Sequence, residues 1–369
     1  MDRNTIRRSI WGLAIVFAFV FGMLALSGCI GQEEKPATIT EVVTETGIQT
    51  ETKVVTETKA PPGEYDAKVA IVFATGGLGD QSFNDAAFRG LMYARSAYNI
   101  YFEYVEPFEI ADYDGYLKAY AERGEFDLII SIGFDQADAL KATAELYPDQ
   151  KYAIIDMVVF PDLPENNIRS IVYREHEGSA LVGAAAGFLT KTNKIGFVGG
   201  MDIWLIQKFL WGYRFGAEYV NPDVEVISTF VGAWADIPKG KTLAEDLLAQ
   251  DVDVIYAAAG RSGIGAWQAV EATTNAYSIG VDSDVCLAGY VRMAASMLKM
   301  VDLSVNQSIA DVIEGTWSTG IMELGIAENG VGICEHLSRF HTPDQIAQIE
   351  ALRDAIANGE IEVPVPPTE

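Results

Sequence analysis

Three cysteines and three histidines are all that 369 residues offer for thiol or imidazole chemistry. The histidines form no H-E-x-x-H pair and the cysteines no C-x-x-C, so neither metal chemistry nor a bound cofactor is expected. Basic side chains are also scarce, 26 Lys and Arg against 52 Asp and Glu, for a formal charge of −26. Such a surface repels phosphate backbones, which excludes nucleic acid as a partner. Apolar residues are plentiful at 49%. Together with the length, that points to a tethering region followed by two units, each able to bury a core.

The three cysteines sit in different contexts. Arg3, Arg7 and Arg8 precede an uncharged apolar run from Ile10 to Leu26, the order of an export signal. The run ends in Leu26-Ser27-Gly28-Cys29, which resembles a lipobox. On that reading residues 1–29 are a signal peptide and Cys29 becomes lipidated; the alternative is an uncleaved helix, since the run approaches the roughly 20 residues that span a bilayer. Either way the chain after residue 30 is extracytoplasmic and held at the membrane. Residues 30–65 are rich in Thr, Glu and Pro, with Val42–Thr46 repeated at Val54–Thr58. A stretch this poor in large apolar groups reads as a disordered stalk. Spacing leaves open whether Cys286 and Cys334 bond to each other.

From Lys68 the pattern alternates. Short apolar runs at Lys68–Phe73, Tyr101–Val105, Asp127–Ile132 and Lys151–Ile155 are separated by helical segments, including Tyr113–Arg123 and Gln136–Tyr147. βα alternation implies a parallel sheet, because parallel neighbours need crossovers. Around Arg169–Tyr173 the pattern restarts, with a helix over Glu175–Leu189, strands at Lys194–Val198, Val224–Phe230, Val252–Ala258 and Ser278–Val281, and helices beyond Gly289. The fold class is α/β, with two Rossmann-like lobes, a hinge and a ligand cleft. A bilobal domain is expected over 66–345, lobe 1 taking about 66–172 plus 283–305 and lobe 2 about 173–282 plus 306–345. A C-terminal helix and Pro-rich tail follow over 346–369.

Two segments come close to enzyme motifs. Ala235 to Thr242 resembles a P-loop whose first Gly is Ala, with Pro238 inside it. Gly260-Arg261-Ser262-Gly263-Ile264 lacks the last Gly of a nucleophile elbow, although His336 and His341 follow it. The serine hydrolase is kept as the enzyme alternative to a non-enzymatic reading. Ligands in open α/β sheets bind beyond the carboxyl ends of strands, which singles out Asp156 and Asp282. As acceptors they suit a polyhydroxylated or NH-bearing solute. The loop Thr75 to Asp80 carries three glycines between a strand and a helix, and reads equally as a simple turn or as a binding loop.

Gly76-Gly77-Leu78-Gly79-Asp80-Gln81-Ser82-Phe83-Asn84 resembles the G-G-x-x-D-x-S-F-N signature of the basic membrane protein family. Further blocks look like family blocks in the same order: Lys194–Gly200, Phe209 with Gly212, Lys239-Gly240-Lys241, Ala258-Ala259-Gly260 with Gly263, Ile279-Gly280-Val281-Asp282, and Ser296–Lys299. The likeness runs from about residue 67 to 335. It implies a type I periplasmic-binding-protein fold and a substrate-binding lipoprotein that serves ABC permease subunits, with nucleosides, purine nucleosides above all, as ligands. By this resemblance Phe83 and Trp234 sandwich a base, Asp282 holds ribose hydroxyls, Asp156 and Asn84 orient polar edges, Gly260 admits backbone contact and Lys299 donates to an oxygen. Gly76, Gly77, Asp80 and Ser82 form the cleft loop. Ala74 departs from the family pattern, which has Asp there, so the ligand's identity is less firmly implied than its class. A sensory ectodomain using the same clamp is the alternative.

Overall fold

A computed structural model describes residues 53–56 and 64–367. The expected signal segment, Cys29 and most of the expected stalk lie outside the described residues. The first sheet opens with β1 (Lys53–Thr56), β2 (Ala67–Val72), β3 (Ile100–Glu106), β4 (Leu128–Ile132), β5 (Tyr152–Ile155) and β6 (Ile168–Tyr173), in the order β1-β3-β2-β4-β5-β6. Helices α1 (Phe83–Ala97), α2 (Tyr113–Arg123) and α3 (Ala137–Leu146) make the crossovers. β2 to β6 pair in parallel. Every residue of β4 is buried, as a strand covered on both faces requires.

The second lobe begins with α4 (Glu175–Leu189) and continues through β7 (Lys194–Gly199), α5 (Trp204–Val220), β8 (Glu225–Phe230), α6 (Ile237–Leu248), β9 (Val254–Ala258), α7 (Arg261–Glu271), β10 (Tyr277–Gly280) and β11 (Met293–Lys299). The chain then returns to the first lobe with α8 (Val301–Glu314), which packs on α1, and β12 (Gly320–Leu324), parallel to β6. It crosses back for β13 (Val331–Ile333), antiparallel to β11, and α9 (Pro343–Ala357), which packs on α4. Three crossings therefore join the lobes: Tyr173 to Glu175, Lys299 to Val301, and Leu324 to Val331. Backbone bonds tie them together, Arg174 N to Leu324 O at 3.0 Å and Met300 N to Gly330 O at 2.9 Å.

Helices α4 and α5 approach closely because glycines face backbone across the contact. A Cβ at Gly212 would lie 2.1 Å from His176 O, and one at Gly216 1.8 Å from Ala180 O. Neither position has room for a side chain. This close approach brings Lys208 of α5 against Glu175 at the start of α4.

Three expectations need correction. The lobe exchange differs from 283–305 with lobe 1 and 306–345 with lobe 2: hydrogen bonding puts β11 beside β10 in the second sheet, and β12 beside β6 in the first. Of the segment beyond Gly289, expected to be helical, Val301–Glu314 and Pro343–Ala357 are helices, but Met293–Lys299 ahead of them is a strand. Its Ala-Ala-Ser centre favours helix, but neighbours on both sides and nearly complete burial override that propensity. Finally, Lys53–Thr56, expected within a disordered stalk, pairs antiparallel with β3 on the sheet's open edge.

Candidate functional site

The carboxyl ends of the two sheets face each other across one cavity, lined from both lobes. Phe83, Asn84, Asp156, Trp234, Gly260, Asp282 and Lys299 all line it, as do Gly76 and Asp80 of the loop. Gly77 and Ser82 do not line it. A Cβ at Gly77 would meet Glu106 Oε2 at 2.7 Å, and the same oxygen accepts the Leu78 N–H at 2.8 Å, so Gly77 presses the loop onto β3. Ser82 Oγ donates to Asp282 Oδ2 at 2.5 Å, a bond from lobe 1 to lobe 2. Asp80 is a capping residue: its carboxylate accepts the N–H groups of Ser82, Asn84 and Asp85 at 2.9, 2.9 and 3.1 Å. That satisfies donors left free at the start of α1.

The two carboxylates after β5 and β10 occupy the left-handed region, Asp156 with φ +74° and Asp282 with φ +62°. Asp tolerates this conformation better than bulkier residues do, and such strain concentrates at functional sites. Between the two lies Lys299, 2% exposed, at the hinge end of β11. Its Nζ is 2.6 Å from Asp156 Oδ1 and 3.1 Å from Glu175 Oε1, and Glu175 also pairs with Lys208. The ammonium further lies 5.2 Å from the centre of the Phe83 ring and 5.6 Å from that of Phe209.

Burial pushes the Asp156 carboxyl up to about 6 although Lys299 opposes it, and burial likewise raises Asp282 against the pull of Lys299 and Ser82. Burial also works against the charge on Glu175, but Lys299 and Lys208 outweigh it and hold that carboxyl below its ordinary range. For Lys299 burial is overcome by Asp156, Glu175 and Asp282, so the ammonium stays charged well above the usual lysine range. Buried charges persist only when paired in this way.

The aromatic wall is broader than the sequence indicated. Phe134 meets Trp234 edge-on at 6.4 Å, and Phe209 adds a third phenyl ring beside Phe83. Glycine makes room for the indole: a Cβ on Gly200 would lie 2.2 Å from Trp234 Cζ3. Asp135 and Arg261 also line the cavity, and Arg261 Nη2 donates to Leu78 O at 2.5 Å across the lobes. Asp135, Arg261, Glu175 and Lys208 went unrecognised in the sequence. Asp135 follows β4 and obeys the strand-end rule that found Asp156; Glu175 and Lys208 carry no local signal.

The enzyme motifs do not assemble. Ser262 is fully buried, and its Oγ accepts from Asp236 N and donates to Ala233 O, both at 2.9 Å. Neither His336 nor His341 bonds it: His341 Nε2 lies 3.0 Å from Ala185 O, and His336 Nε2 4.0 Å from Asp284 Oδ2. The Ala235–Thr242 segment enters α6, whose N-terminus the Asp236 carboxylate already caps at Lys239 N, 3.0 Å away. Cys286 and Cys334 form a disulfide.

Two α/β lobes, three crossings and a shared polar and aromatic cavity define a solute-binding clamp. The model of the family described as ABC transporter substrate-binding protein PnrA-like matches residues 67–366, and the chain belongs to that family. It is 32% identical over 323 residues to the CD4+ T-cell-stimulating antigen of Listeria monocytogenes, covering 82% of this chain and 89% of the relative. Basic membrane protein A of Borreliella burgdorferi is 32% identical over 300 residues, covering 80% and 87%, and an uncharacterized lipoprotein of Pyrococcus abyssi is 34% identical, covering 76% of each. Among solved structures, an ABC transporter solute-binding protein from Aeropyrum pernix superposes with a TM-score of 0.76 at 32% identity, over 81% of this chain and 94% of that one. The fold is the type I periplasmic-binding-protein fold. Membership implies a small-molecule ligand and permease partners.

Proposed function

We propose that this protein is an extracytoplasmic lipoprotein, anchored through Cys29, that captures a nucleoside, most readily a purine nucleoside, and delivers it unchanged to an ABC permease. The observation that carries this reading is the cavity's composition. Flat aromatic faces from both lobes, Phe83 and Trp234, stand beside two strand-end carboxylates flanking a buried ammonium. Aromatic faces suit a heterocycle, and carboxylates with an ammonium suit ribose hydroxyls and ring oxygen. No ring contact joins Phe83 to Trp234 among the described residues; a base between them needs a separation of about 7 Å, twice the van der Waals contact. The hydrogen bond of Asn84 uses Oδ1, which accepts from Ala74 N at 3.0 Å, and leaves its amide NH2 to donate to a ligand.

Charge favours a nucleoside over its phosphate esters. Asp135, Asp156 and Asp282 face the cavity against Lys299 and Arg261, and Lys299 is already paired. A phosphate would enter a site with more anions than free cations. Closure about the three crossings would desolvate the solute between the lobes, and transport of this kind needs no bond-making step.

Tryptophan fluorescence tests the stacking. Adenosine, guanosine and inosine are each expected to change the emission of the parent, and the change should vanish in Trp234→Phe, which keeps binding. Trp234→Ala is expected to bind about 5- to 150-fold more weakly, from roughly 1–3 kcal/mol per stacked base. A Trp234→Ala protein as tight as the parent refutes the sandwich.

A further inference from the structure

Asp135 is a cavity carboxylate with one oxygen that the fold leaves unpaired. Its Oδ2 accepts the Tyr113 hydroxyl at 3.2 Å, and that hydroxyl in turn accepts the Thr75 N–H at 2.8 Å, so the carboxylate is held in one orientation. Its Oδ1 is buried and has no hydrogen-bond partner among the described residues. A buried acceptor left unpaired costs about as much as a lost hydrogen bond, and in native proteins it calls for an explanation. The position of Oδ1 suggests one. Gly133, with φ +114°, has no side chain, and a Cβ built there would lie 3.1 Å from Asp135 Oδ1, 3.2 Å from Ala74 Cβ and 3.9 Å from Phe83 Cε1. The unpaired oxygen, the small Ala74 and the edge of the Phe83 ring thus crowd one point on the cavity wall. The Lys299 ammonium lies 5.2 Å from the centre of the same Phe83 ring.

We propose that Asp135 is a specificity-determining residue whose Oδ1 accepts an N–H from the ligand's base, so that the site selects purine nucleosides bearing an N–H donor on the base over those bearing none. The assignment rests on the nucleoside reading above and adds to it the polarity of the base edge. Lys299 and the strand-end carboxylates take the sugar, Phe83 and Trp234 take the faces of the base, and Asp135 takes its edge. Burial pushes the Asp135 carboxyl above its usual range, with the Tyr113 hydroxyl opposing, and an arriving N–H donor favours the ionised acceptor form. With Ala at position 74, Asp135 is the carboxylate available to this part of the wall.

The experiment compares inosine, guanosine and adenosine, which carry N–H groups on the base, with purine riboside, which carries none. Each is titrated by calorimetry into the full chain and into Asp135→Ala and Asp135→Asn, with the melting temperature of each variant measured beside it. In the parent at least one N–H-bearing nucleoside is expected to bind about 10- to 100-fold tighter than purine riboside, the range for a hydrogen bond to a charged acceptor. In Asp135→Ala that ratio should collapse to about 3-fold or less, through loss of the tight ligand with purine riboside little changed. Should Asp135→Ala fail to fold, Asp135→Asn, close to it in shape and uncharged, is expected to narrow the same ratio.

Equal affinity of the parent for all four nucleosides overturns the assignment and leaves the nucleoside reading intact. So does an equal loss for all four in Asp135→Ala, since that marks a structural role. A parent that binds none of them overturns both.

Discussion

Lys299→Met is the perturbation with the largest effect to be read from the structure. Lys299 is 2% exposed, 2.6 Å from Asp156 and 3.1 Å from Glu175, and removing it leaves Glu175 with Lys208 but Asp156 with no cation among the described residues. Breaking a buried pair by deleting one partner costs about 3–5 kcal/mol, because the other charge stays buried and uncompensated. The loss should depend on pH, with a definite sign. Asp156 already sits at about 6, above its unfolded 3.8, and without Lys299 the carboxyl moves further up. An acid with a raised folded value binds its proton more tightly when folded, so its destabilising effect is absent at low pH and grows as pH rises.

Urea denaturation followed by circular dichroism at pH 5 and pH 8 measures this. The variant should lose about 3–5 kcal/mol at pH 8 and distinctly less at pH 5. The double variant Lys299→Met/Asp156→Asn should recover a large part of the difference at pH 8. A loss under about 1 kcal/mol, within the range of exposed ion pairs, would refute the account of the hinge network, and so would a loss equal at the two pH values.

Other predictions follow from neighbouring features. Burial, with Lys208 nearby, depresses His176 from 6.5 to about 4, so the parent should lose stability as pH falls from 6.5 towards 4, by at most about 3 kcal/mol, and His176→Gln should flatten that slope in the same denaturation assay. Gly200→Ala, whose Cβ would meet Trp234 Cζ3 at 2.2 Å, should shift the indole and weaken nucleoside binding in a fluorescence titration while the far-ultraviolet spectrum stays that of the parent. The Cys286–Cys334 bond spans a separation of 48 residues, and Cys286→Ser/Cys334→Ser should lower stability by up to about 4 kcal/mol on the loop-entropy estimate, measured as a lower urea midpoint.

Much of the architecture was legible because βα alternation leaves few alternatives: parallel strands such as β2, β4 and β9 require crossover helices, and their nearly complete burial makes them predominantly apolar runs. The strand at Met293–Lys299 was not legible, since Ala-Ala-Ser in its centre carries no β preference and only its partners β10 and β13 hold it extended. The lobe exchange was hidden for the same reason. A hinge crossing at Lys299 to Val301 becomes visible only when one knows which sheet each flanking element joins.

In the site, strand ends betrayed Asp156 and Asp282, and the same rule applied to β4 finds Asp135. Glu175 and Lys208 sit on helices, in segments whose pattern speaks of packing. Their pairing depends on the glycine contacts between α4 and α5, and no local spacing encodes it. Ser262 marks the opposite case, a motif-like serine whose hydroxyl the backbone consumes at both ends.

The central claim is that the cleft closes on a purine nucleoside. Isothermal titration calorimetry of the full chain with adenosine, guanosine, inosine and uridine tests it most directly. The account predicts one site per chain, saturable, with at least one purine nucleoside bound more tightly than uridine. An absence of binding heat with all four, from protein with an intact melting transition, would contradict it.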